Sequence, residues 1–114
     1  MARLTVNKPW GKFEQFTHNQ MSTVKILTVE PHQQLSLQYH HKREELWKVI
    51  SGDCKVILGR KEMIAGPDDE FFIPKKAKHR IIGGAKTAKI LEISFGEFDE
   101  EDIVRLEDSY GRVQ

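Results

Sequence analysis

Gln38, His40 and Glu45 lie close together in the segment Gln38-Tyr39-His40-His41-Lys42-Arg43-Glu44-Glu45-Leu46-Trp47. A β-strand sends residues two apart to the same face, so Gln38 and His40 point together while Leu37 and Tyr39 point the other way. A turn over His41–Glu44 then starts a strand in which Glu45, Trp47 and Val49 share a face. With that face turned inward, Glu45 meets Gln38 and His40 across the hairpin. His79 opens a much later strand, just after a turn over Pro74–Lys78. Two imidazoles, a carboxylate and an amide oxygen make a mixed nitrogen and oxygen set for one divalent metal ion. Such a set suits Zn, Mn, Co, Ni or Fe(II) and lacks the thiolates of a closed structural zinc site. Having fewer than six protein ligands leaves room for water or substrate. A single surface His or Glu is ordinarily just solvated, and Gln38-x-His40 alone is a weak signal. Glu45 at the head of the next apolar strand and Gly52 seven residues further on strengthen it.

The elements that must carry these residues have a period of two. Candidate strands are Lys12–Thr17, Thr23–Val29, Leu35–His40, Glu45–Ser51, Cys54–Leu58, Lys61–Ile64, Glu70–Ile73, His79–Ile82 and Ala88–Phe95. Between them stand turn residues such as Ser51-Gly52-Asp53, Leu58-Gly59-Arg60 and Gly66-Pro67-Asp68-Asp69. So many short strands predict an antiparallel sandwich or barrel. A short helix is expected around Glu100–Leu106, with acidic residues at its start. The 114 residues suit one domain, spanning 1–114. With 39% hydrophobic and 31% charged residues the composition is globular, and 18 basic against 17 acidic side chains leave no field to attract nucleic acid or anionic lipid. The lone Cys54 excludes an internal disulfide and reads as a buried thiol. No apolar signal segment or membrane span is evident, so a cytoplasmic location is expected.

The spacing Gln38-x-His40-x4-Glu45-x6-Gly52, followed by Pro74 and His79, resembles the two motifs of the cupin superfamily. Gln38 stands where the first motif has its first His, Lys76 where the second has glycine, and Gly83 where it has asparagine. Pro31 also lacks the glycine that often follows it. The likeness sharpens toward type II mannose-6-phosphate isomerases, which occur most often as the C-terminal domain of bifunctional enzymes that also make GDP-mannose. It is carried by Pro9-Trp10-Gly11, by Leu35 through Trp47 with Ser51-Gly52, by Ile73-Pro74 through His79-Arg80, by Gly96-Glu97, and by Glu101 through Arg112. These stretches span nearly the whole chain, and Leu35-Ser36-Leu37-Gln38 and Asp108-Ser109-Tyr110-Gly111-Arg112 are much more specific than the cupin motif alone. The family usually has His at the position of Leu46, which should face outward.

The resemblance implies an all-β, single-domain cupin, a jelly-roll barrel. It further implies a metal-dependent isomerase that interconverts mannose 6-phosphate and fructose 6-phosphate. Such an enzyme moves a proton between neighbouring carbons through an enediolate. With Glu45 committed to the metal, the candidate proton carriers are Glu92, in the strand Ile90-Leu91-Glu92-Ile93-Ser94, and Lys25, which alternates with Leu27 and Val29. Arg43 and Arg112 are the candidates for holding phosphate, on the strength of the resemblance. His41 and His18 read as surface residues, and Trp47 and Trp10 as packing. A non-catalytic sugar- or sugar-phosphate-binding metal cupin, or another small metal-cupin enzyme such as a dioxygenase, are the alternatives. No glycine-rich nucleotide loop precedes Pro9, so neither GTP binding nor GDP-mannose synthesis is expected of this chain. Leu37, Tyr39, Ile50 and Ile57 form an outward apolar stripe that suggests a homodimer.

Overall fold

The computed structural model describes residues 3–112. Eleven strands follow in chain order: β1 (Leu4–Lys8), β2 (Gly11–Gln15), β3 (Ser22–Val29), β4 (Leu37–Tyr39), β5 (Glu44–Ser51), β6 (Cys54–Leu58), β7 (Lys61–Ala65), β8 (Glu70–Ile73), β9 (His79–Gly83), β10 (Ala88–Phe95) and β11 (Val104–Glu107). Strands β1 and β2 form a separate hairpin. The rest build two antiparallel sheets, one in the order β3-β10-β5-β8 and one in the order β11-β4-β9-β6-β7. This all-β arrangement is the expected one, with β1 and β11 in addition to the nine strands read from the sequence.

Alternation decides what faces the space between the sheets. On β5, Glu45, Trp47 and Val49 point inward, and on β10 Ala88, Ile90, Glu92 and Ser94 do, all of them buried. Trp47, Val49, Val56, Ile73, Ile81 and Ile90 make the apolar half of the interior. Burying each such side chain contributes roughly 1.5–3 kcal/mol. Toward β3 and β4 the lining changes to polar residues, and there a cavity opens. Cys54 sits in the apolar half, where burial pushes its thiol pKa up.

The short helix expected at Glu100–Leu106 does not form. Residues 99–103 make tight turns, with Asp102 N–H donating to the Asp99 carbonyl at 3.0 Å and Ile103 N–H to the Glu101 carbonyl at 2.8 Å. Strand β11 then pairs with β4, Val104 opposite Tyr39 and Arg105 opposite Gln38. The acidic start that reads as a helix N-terminus serves another purpose. The Asp102 carboxylate accepts the backbone N–H groups of His41 and Lys42, both at 2.9 Å, which holds the segment beside β4 in extended form. Of the four residues in the expected outward stripe, Leu37, Tyr39 and Ile57 are half-buried on the five-stranded sheet, whereas Ile50 stands exposed on the other sheet.

The turn residues behave as their chemistry requires. Gly52, between β5 and β6, has φ +79°, and a Cβ there would collide with the backbone of Thr87 and Ala88. Lys76, in the turn before β9, has φ +67° and donates its N–H to the His40 carbonyl at 2.6 Å. The left-handed backbone at this position explains why the cupin motif favours glycine there.

Candidate metal centre

Three elements deliver the candidate ligands. Gln38 lies on β4 with its Cα opposite that of His79 on β9, and His40 follows two residues later on the same face. Glu45 enters from β5 in the facing sheet. His40, Glu45 and His79 are all buried, and one ligand atom from each lies within 4.8 Å of the others. Glu45 Oε1 is 3.6 Å from His79 Nε2 and 3.9 Å from His40 Nε2. The two imidazole rings are 5.0 Å apart between centroids.

Hydrogen bonds set the ring tautomers. His40 Nδ1 donates to the Asp102 carbonyl at 2.6 Å, and His79 Nδ1 donates to the Ala77 carbonyl at 2.8 Å. Both Nε2 atoms therefore present lone pairs to the Glu45 carboxylate. Burial lowers the pKa of each His, outweighing the pull of Glu45, so both are neutral at pH 7, the form a ligand needs. Glu45 Oε2 accepts from Arg43 Nε and Ser94 Oγ, each at 3.2 Å. Glu45 Oε1 is buried with no hydrogen-bond partner. An orphaned carboxylate oxygen facing two imidazole lone pairs is what a divalent cation would satisfy. The residues present therefore fit a metal ion. Carbonyl acceptors behind each His are the usual outer support of such a centre.

Around this cluster lies a cavity of about 210 Å³, lined among others by Gln38, Ser36, Lys25, Glu92, Arg105 and Arg112. Glu92 faces Lys25 on β3 and Trp47 on β5. Burial first, and then the charge of Glu45, push its carboxyl up to about 7, against the opposing pull of Lys25 and Arg43. The Trp47 indole N–H lies near enough to favour the carboxylate slightly but does not meet hydrogen-bond geometry. Trp47 itself is 1% exposed and belongs to the core, while Trp10 is 72% exposed on the hairpin. His18 and His41 are exposed, as expected. Leu46 turns away from the cavity but is 4% exposed, so its outer face is covered.

The two arginines expected to hold phosphate are both tied down. Arg43 is buried; besides Glu45 it donates to the Asp99 carbonyl at 3.0 Å, approaches His40 Nε2 at 3.4 Å, and places its Cζ 4.4 Å from the centre of the Phe98 ring. Arg112, at the cavity edge, donates through Nε and Nη2 to Asp108 at 2.9 and 3.2 Å, which holds the Asp108 carboxyl at about 2. Four contributors escaped the sequence reading: Ser94, Phe98, Asp102 and Arg105. Ser94 was within reach, because it alternates with Glu92. The other three sit in or beside the segment read as a helix.

The antiparallel jelly-roll with an interior His-Glu-His cluster defines a small cupin with a candidate metal site. The comparisons then narrow the class. Residues 1–108 match the family described as mannose-6-phosphate isomerase C-terminal, and the chain belongs to that family. It is 36% identical over 110 residues to mannose-1-phosphate guanylyltransferase ManC of Salmonella typhimurium, covering 95% of this chain and 23% of that protein. It is 38% identical over 110 residues to xanthan biosynthesis protein XanB of Xanthomonas campestris, covering 95% and 24%. The chain thus spans about a quarter of the length of these relatives. Among solved structures it resembles the capsular polysaccharide assembling protein CapF of Staphylococcus aureus, with a TM-score of 0.70 at 19% identity over 94% of this chain and 33% of that one, a likeness of fold.

Proposed function

We propose that this chain is a metal-dependent aldose–ketose isomerase acting on mannose 6-phosphate and fructose 6-phosphate. His40, Glu45 and His79 would hold one divalent ion, with the Gln38 amide oxygen as a fourth ligand. When bound, that ion supplies Lewis-acid polarisation of the sugar's carbonyl and neighbouring hydroxyl oxygens.

The chain's own residues supply the proton chemistry. Glu92 is the single observation that carries the reading: a carboxyl group facing the cavity beside the triad, with a pKa poised near neutrality, in a family whose description names this isomerase. A base with a pKa close to the working pH transfers protons in both directions most effectively. Glu92 accepts the proton from C2 of the open-chain aldose and returns it to C1, while a second proton moves between the two oxygens. Lys25, opposite Glu92, favours the carboxylate form that begins the cycle. Arg43 donates to Glu45 Oε2, which leaves Oε1 aimed at the imidazoles. Leu27, Leu35 and Ile103, the apolar part of the cavity lining, limit the water that reaches the exchanging proton.

The test is an assay of the purified, metal-loaded chain with mannose 6-phosphate, reading fructose 6-phosphate. Formation of product that is lost in His79→Ala supports the reading. Binding of mannose 6-phosphate without product would assign the chain to the non-catalytic, sugar-phosphate-binding class.

A further inference from the structure

Four cations line the cavity: Lys25, Arg43, Arg105 and Arg112. Arg43 and Arg112 have carboxylate partners in Glu45 and Asp108. Arg105 has no ion-pair partner among the described residues, and its Nε is buried without a hydrogen-bond acceptor. A guanidinium N–H removed from water and left unpaired is unfavourable unless a ligand completes it. Strand β11 sets Arg105 opposite Gln38, and β3 sets Lys25 opposite Glu92, so the two cations enter the same opening from the two sheets. Both also line an adjoining hollow floored by Phe98, where Lys25 Nζ lies 4.3 Å from the ring centre. Arg105 and Lys25 are half-buried, whereas Glu45 and Glu92 are buried, so the unpaired positive charge lies toward the rim and the carboxylates lie deeper.

We infer that Arg105, with Lys25 across the opening, anchors the phosphomonoester dianion of a sugar phosphate whose carbonyl end lies at the His-Glu-His cluster. The inference rests on the isomerase reading for the identity of the sugar, but the anion site stands on its own geometry. Guanidinium is suited to this task because its planar donors pair with two phosphoryl oxygens at once. Glu100 also lines the adjoining hollow.

The experiment uses the metal-loaded full chain. For Arg105→Met, KM for mannose 6-phosphate should rise about 30- to 100-fold, with kcat changed less than about threefold. The kcat/KM for unphosphorylated mannose should stay at the wild-type value, because that sugar cannot use the contact. Arg105→Lys should recover part of the loss, and Arg60→Met, on the exposed β6–β7 turn, should change nothing. An unchanged KM for the phosphorylated sugar, or equal losses on both sugars, would overturn the assignment. Calorimetry with mannitol 6-phosphate, which has no carbonyl to isomerise, separates this inference from turnover. Wild type that binds it without isomerising mannose 6-phosphate refutes the isomerase reading alone. Equal affinity in wild type and Arg105→Met refutes the anchor alone.

Discussion

Replacing Asp102 by Asn should loosen the metal centre although Asp102 is not a ligand. Its carboxylate accepts two backbone N–H groups, from His41 and Lys42 at 2.9 Å each, and so fixes the turn between His40 and Glu45. Bonds to a charged acceptor contribute about 1.5–3 kcal/mol each. The Asn amide keeps one acceptor oxygen at neutral strength and turns an NH₂ toward the other donor. The net loss should be about 2–4 kcal/mol. With a urea slope of about 2 kcal/mol per molar, the unfolding midpoint should drop by roughly 1–2 M. The same turn sets His40, so metal affinity measured by competition with a chromophoric chelator should fall about 10- to 100-fold. There is also a pH signature. The two N–H groups hold the Asp102 carboxyl below its ordinary value, so the stabilisation is present above the unfolded pKa near 4 and is lost as pH falls through the lower folded value. Wild type should therefore lose stability in acid that the variant never had. A midpoint within about 0.3 M of wild type, together with unchanged metal affinity, would refute the idea that this carboxylate organises the site.

Two further outcomes follow from local geometry. Glu92→Gln should lower kcat about 10²- to 10⁴-fold. The raised carboxyl pKa costs the metal-free wild type stability as pH rises from about 4.5 to about 7, so the variant should be the more stable of the two at pH 8 in urea melts with chelator. Equal or lower stability of the variant there would contradict the placement of Glu92. Lys76→Gly should relieve a left-handed residue in the turn before β9, raising stability by about 0.5–1 kcal/mol in the same melts and leaving metal affinity intact. A loss of stability would show that the Lys76 side chain makes up for the strain.

The shared face of Gln38 and His40 and the inward turn of Glu45 were legible from strand alternation. The expected hairpin between them does not form: β4 pairs with β9 and β11, β5 pairs with β10 and β8, and Glu45 meets the histidines from the facing sheet. The burial of Glu92 and Trp47 was legible for the same reason, since both alternate with apolar residues along β10 and β5. The C-terminal segment was not. Glu100-Glu101-Asp102 has the composition of a helix start, and only the exposed N–H groups of His41 and Lys42, some sixty residues earlier in the chain, convert it to a clamp. Local propensity cannot register a partner at that separation. The fates of Arg43 and Arg112 were hidden likewise, because a guanidinium reads identically whether it meets a ligand or a neighbouring carboxylate. Arg105 was obscured by the mistaken helix, which placed it on no particular wall.

The bond from His40 to the Asp102 carbonyl joins residues 62 positions apart. During synthesis His40 leaves the ribosome long before the turn that orients its ring exists. A nascent chain thus carries His40, Glu45 and His79 as loosely held, protonatable groups with little grip on any cation. Only when the segment around Asp102 has emerged is the His40 ring held in place, so the cluster takes its final geometry late in synthesis.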